Sequence, residues 1–154
     1  MFNGETQTDI TDKLIKTAAA TYSGFTYAYI INNDSINLYA FSFFDIEQSW
    51  ASKRSKYILK HEQKHFDITE IYSRKFKKKI MELDFSSQPI DSLISQTYTY
   101  YEKKLGEIQY RYDNETGHGT NKEAQTSWDL LIEKELNETN KFEEPFCGIA
   151  WKKK

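Results

Sequence analysis

The chain has 154 residues, 38% of them hydrophobic and 16% aromatic, which is enough apolar material for one core and fits one domain better than two. A formal net charge of -2 gives no overall pull toward nucleic acid or anionic lipid. Cys147 is the only cysteine, which excludes an intramolecular disulfide framework and a Cys-based zinc ribbon, and no run approaches the ~20 apolar residues of a membrane-spanning helix.

In chain order, residues 1–17 are polar with little periodic signal, and MFNGETQTDITDKLI lacks the apolar core that an export signal requires. From Ala18 to Phe44 the composition turns to Tyr, Phe, Ile and Thr with alternation. FTYAYII and INLYAFSFF, separated by NNDS, read as an antiparallel β-hairpin. QSWASKRS marks a boundary, and a long helical pattern follows from about Ser52 to Leu83. Within it, RKFKKK at 74–79 is expected to be a solvated helix end. Pro89 suits the first position of a second helix, whose apolar stripe runs from Ile90 to Tyr112. DNETGHG then reads as a turn, and Thr120 with Glu123 as a capping box opening a third helix to about Leu136. The tail FEEPFCGIAWKKK is compatible with an edge strand or with a segment wrapped on the core. The expected architecture is a single α+β domain over 18–154, in which a hairpin sheet packs on a long helix followed by two more.

The long helix carries HEQKHFD. At 100° per residue, His61 and His65 fall on its inward stripe beside Ile58, Ile68 and Tyr72. Two imidazoles one turn apart on one face converge on a single zinc ion at about 2.0–2.1 Å, and Glu62, offset by about 100°, reaches a water on the metal without occupying its shell. H-E-x-x-H is therefore the pattern of zincin hydrolases, with Glu62 as general base.

A catalytic zinc takes three protein ligands and keeps one position open. Glu70 and Asp67 point about 180° and 240° away from His61 around the helix, so the third ligand comes from elsewhere. His118 is the expected ligand, flanked by Gly117 and Gly119, with Glu115 as the substitute. Asp67, Asp113 and Glu115 are candidates to brace the histidines from the second ring nitrogen, while Glu70 and Arg74 are expected to pair along the helix. Tyr110 or Tyr112 could offer a hydroxyl to an oxyanion, although core packing accounts for both more simply.

TAAATYSGFTY, the SW at 49–50, ILKHEQKHFDITEIYSRKF and YDNETGHGTNKEAQTSW together resemble a bacterial family catalogued as domain of unknown function 922, to which zinc-dependent protease activity has been assigned largely from its motif. The likeness extends from about Ala18 to Trp128. It implies a zincin-like, secreted or periplasmic metallopeptidase with one zinc, in which His61 and His65 match ligand positions, Glu62 the catalytic glutamate and His118 the histidine of an HG pair. By the same resemblance MFNG is what remains of a first strand. The expected partner is a peptide or protein substrate lying in extended form along an edge of the hairpin sheet; nucleic acid is not expected. Two alternatives remain from the sequence: a metal-binding scaffold that hydrolyses nothing, and an amidase acting on cell-wall peptides.

Overall fold

The computed structural model describes residues 19–52, 55–86 and 88–150, so the expected remnant of a first strand within 1–17 lies outside the described residues. Strands β2 (Ser23–Ile31) and β3 (Ser35–Phe44) form the hairpin, with Phe25 opposite Ser42 and Ile31 opposite Ile36. The tail supplies β5 (Phe146–Ala150), antiparallel to β3, so the sheet order is β2-β3-β5 with β3 in the centre. A second, two-residue ladder joins β1 (Ala19–Ala20) to β4 (Trp50–Ala51).

Alternation along β3 decides which face is buried. Ile36, Leu38 and Ala40 are fully covered, whereas Tyr39, Phe41 and Phe43 face outward. The covered face packs on α1 (Lys56–Met81), whose Ile68, Ile71, Phe76 and Ile80 are buried against Phe25 and the β3 residues. Ser55 caps this helix by accepting from the Ile58 amide, and Lys78 and Lys79 in the last turn complement its dipole. Helix α2 (Ile90–Thr116) and α3 (Lys122–Glu138) complete the core with Ile94, Leu105, Tyr112, Trp128 and Ile132. A single 3-10 turn at Asn140–Phe142 leads to β5. The α+β expectation therefore stands in its coarse form, and no helix among the described residues is long and apolar enough to cross a membrane.

Four local expectations change. The second helix does not stop before DNETGHG; it runs through Asp113 to Thr116 and ends at Gly117 in the left-handed conformation, with the His118 amide donating to the Asp113 carbonyl and the Gly117 amide to that of Asn114. Pro89 stands just before that helix, not in its first turn. The capping box is not formed, because the Thr120 hydroxyl donates to the Gly117 carbonyl (2.7 Å) and Asn121 caps α3 by accepting from the Ala124 amide. RKFKKK is only partly solvated: Arg74 and Lys77 are buried. Arg74 pairs with Glu70 as expected (2.7 Å) and reaches the Leu136 carbonyl, while the Lys77 ammonium donates to the carbonyls of Glu144 (2.7 Å) and Glu143 (3.3 Å).

Candidate metal centre

Helix periodicity places His61 and His65 on the buried face of α1, at 3% and 8% exposure. Each ring is held at Nδ1 by a glutamine. His65 Nδ1 lies 2.5 Å from Gln109 Oε1 on α2, and His61 Nδ1 lies 2.9 Å from Gln125 Oε1 on α3. The amide orientations are fixed by their other ends. Gln109 Nε2 donates to the His65 carbonyl (2.8 Å) and Thr69 Oγ1 (3.1 Å); Gln125 Nε2 donates to the Tyr112 hydroxyl (2.8 Å) and to the Asp129 carboxylate (2.9 Å). A carbonyl and a carboxylate only accept, so in each glutamine the oxygen faces the histidine, and Nδ1 of both rings carries the proton.

Nε2 of both rings therefore presents a lone pair, and both point at one atom. Asp113 Oδ1 is 3.2 Å from His61 Nε2 and 3.0 Å from His65 Nε2. Two nitrogen lone pairs facing a carboxylate oxygen repel unless a cation lies among them, either a proton on a ring or a metal ion. In the first case, burial works against the His65 imidazolium, yet the hydrogen bond and charge of Asp113, with Gln109, raise its pKa above the ordinary value. Burial works to raise the pKa of Asp113, but the two histidines outweigh it and hold that carboxyl well below the usual carboxylate range. For the second case the dimensions fit, since tetrahedral coordination at 2.0–2.1 Å sets ligand atoms about 3.3–3.4 Å apart. His61, His65 and Asp113 form a compact group of potential metal ligands.

Asp113 thus stands with the two histidines in the group of potential ligands. Its signal was present in the sequence: Gln109, Tyr112, Asp113 and Thr116 share one face once α2 is extended to Thr116. Gln109 and Gln125 were not anticipated, because a brace for a ligand histidine is more often sought among carboxylates and carbonyls than among amides. Tyr112, fully buried, lies between the two halves of the site. Its ring stacks on His61 (4.7 Å between centroids) and meets His65 edge-on (4.8 Å), and its hydroxyl donates to the His61 carbonyl (3.1 Å).

His118 comes close without entering the compact group. Its Nδ1 is 3.5 Å from the same Asp113 Oδ1, on a side chain 50% exposed. It occupies the middle of three consecutive left-handed residues, with φ of 56° at Gly117, 53° at His118 and 82° at Gly119. Gly119 lets the loop press on the site, for a Cβ there would meet His61 Cγ at 3.1 Å.

The remaining candidates are not brought together with these. Asp67 is engaged by Lys64 (2.7 Å) and Gln63 (3.1 Å). Glu115 accepts from Arg111 (2.6 Å) and from the Trp128 indole (2.9 Å). Tyr110 is 71% exposed, and the Tyr112 hydroxyl is committed to His61 and Gln125. Glu62, offset by about 100° from His61 on α1, lines a cleft of about 540 Å³ between α1 and the β1–β4 ladder, and its charge also acts on His65. Its Oε2 is buried and has no hydrogen-bond partner among the described residues. That cleft borders the small ladder and the end of β3, and not the outer strands β2 and β5 of the hairpin sheet.

A family model described as "Bacterial protein of unknown function (DUF922)" matches residues 43–119, half of the chain, including HEQKHFD and DNETGHG. No curated protein matches, and no solved structure does.

Proposed function

The chain belongs to this bacterial family of unknown function, DUF922, and we propose that it is a zinc-dependent peptidase whose metal is held by His61, His65 and Asp113. The observation that carries the reading is the convergence of both Nε2 atoms on Asp113 Oδ1 while both Nδ1 atoms are occupied by glutamine oxygens. Bound there, zinc supplies Lewis acidity toward water and toward an amide carbonyl. The chain's own residues do the rest. Gln109 and Gln125 hold the rings in the Nδ1-protonated form and so keep Nε2 available. Glu62 has the character of a general base: a carboxylate oxygen without a partner among the described residues, on the turn that carries both histidines, at the wall of the cleft. It takes the proton of the attacking water and passes it to the leaving amine. By family resemblance the protein works outside the cytoplasm.

The test is metal analysis combined with one conservative variant. Wild-type protein should hold one equivalent of zinc and hydrolyse peptides; His61→Ala with His65→Ala should lose the metal; Glu62→Gln should keep it and lose hydrolysis. Zinc retained by the double variant refutes the reading.

A second reading is a metal-binding scaffold without hydrolysis. What favours it is His118, 3.5 Å from Asp113 Oδ1: a fourth protein ligand closes a zinc site, as in structural centres. It predicts that His118→Ala weakens zinc binding and that no peptide is cleaved. In the peptidase reading the same variant keeps its zinc, held by the other three.

A further inference from the structure

The cleft beside Glu62 carries chemistry of its own. Leu59, Glu62, Gln63 and Phe66 are spaced i, i+3, i+4 and i+7 on α1, so one wall is a single helix face about 10 Å long. That is the length of about three extended residues. The facing wall is built from the β1–β4 ladder, from Phe44 at the end of β3 and from Ile46 beyond it. Among the described lining residues Glu62 is the one ionisable group, and Phe44, Ile46, Trp50, Leu59 and Phe66 are its large apolar members.

Exposure at the rim points the same way. Leu59 is 70% exposed and Ile46 77%, with Phe44 at 48% and Trp50 at 38%. Large apolar groups left open around one concave cleft, with a single charged side chain among its described residues, mark a ligand site for apolar matter. A polypeptide with acidic residues meets the Glu62 carboxylate there, and one with basic residues finds, among the described residues, one acid amid apolar surface.

Resting on the peptidase reading, we infer that the substrate is a polypeptide in extended form that places a large apolar side chain, Phe- or Leu-like, in the cleft between Leu59 and Trp50, next to the bond that is cut. Its backbone runs along α1 beside the β1–β4 ladder. Leu59, Phe66 and Trp50 are the residues that set specificity, and acidic residues are rejected at this position.

Trp50 provides a readout that does not depend on turnover. Zinc-loaded Glu62→Gln protein is titrated with end-blocked hexapeptides of alanine carrying one Phe, Leu, Gly, Lys or Asp, and tryptophan emission is followed. The Phe and Leu peptides should bind at least tenfold tighter than the Gly peptide, and the emission change should vanish in the additional Trp50→Phe variant. Leu59→Lys, at an exposed position where folding is not at risk, should reduce the apolar preference at least fivefold and raise affinity for the Asp peptide. Equal affinities across the series, or tightest binding of a charged peptide, overturn the inference even if wild-type protein cleaves peptides elsewhere. Apolar-selective binding with no cleavage by zinc-loaded wild type supports the cleft's preference and refutes the peptidase reading, so the two failures are told apart.

Discussion

At the scale of single residues, the site is decided by which atom of each imidazole is already taken. Gln109 and Gln125 do not touch the convergence point at Asp113 Oδ1, yet they determine that two lone pairs face it. Gln109→Ala or Gln125→Ala should therefore weaken zinc binding about 10–100-fold with helix content unchanged, measured by chelator competition; Asp113→Asn, which removes the charge that meets the metal, should weaken it further. Protons and metal compete for the same nitrogens, which gives a pH signature. In chelated protein the raised pKa of His65 contributes stability that is fully present below about pH 6.5 and is lost as pH rises through the raised value. The depressed pKa of Asp113 contributes stability present above 3.8 and lost only as pH falls through its much lower folded value. Thermal melts of chelated protein should thus weaken from pH 6 toward pH 8, whereas zinc affinity should rise over the same interval.

At the scale of elements, the site is three helices meeting at one loop: α1 brings the histidines, α2 the aspartate and one glutamine, α3 the other glutamine. Gly119→Ala tests the loop. Its φ of 82° and the 3.1 Å approach of an added Cβ to His61 Cγ combine backbone strain with a displaced ligand. Stability should fall by about 1–2 kcal/mol, and zinc affinity should fall with it, read by calorimetry and by chelator competition. Much of this level was legible in the sequence. The hairpin was visible because one face of β3 is buried and the other is not; α1 was visible because its apolar residues and both histidines keep one period. The end of α2 was hidden, since Asp113, Asn114 and Gly117 are turn-forming residues, and a helix that packs its inner face through Tyr112 and Thr116 overrides that local preference. Ending the helix four residues early put Asp113 in a turn, where it reads as a brace for the histidines and not as a potential ligand beside them, and left His118 as the expected third donor.

At the scale of the whole molecule, Lys77 links the middle layer to the last strand. Its ammonium, 2% exposed, bonds the carbonyls of Glu143 and Glu144 just ahead of β5, while the Ala40 amide of β3 donates to the Pro145 carbonyl (2.9 Å). Burial pushes the Lys77 pKa below its ordinary value, so the cost of desolvating the charge exceeds the gain from its partners. Lys77→Met loses two hydrogen bonds but sheds that cost. Global stability should change by no more than about 1 kcal/mol, while hydrogen exchange at Cys147 and Ile149 should quicken, since among the described strands β5 pairs with β3 alone. A larger global loss would show that the charge holds more than the strand. No composition-level reading of RKFKKK reveals this, because a basic run looks solvated until the chain that covers it is known.

The left-handed run at 117–119 has one more consequence. A residue with a Cβ at the φ of His118 pays roughly 1–2 kcal/mol that glycine does not, while glycine costs about 0.5–1 kcal/mol in chain freedom. His118→Gly should therefore melt within about 1 kcal/mol of the parent chain, whereas His118→Ala keeps the strain and loses the ring. The glycine variant removes an imidazole from the rim of the centre with the fold held constant. Any change in metal affinity or turnover that it causes is then a reading of the ring's chemistry alone.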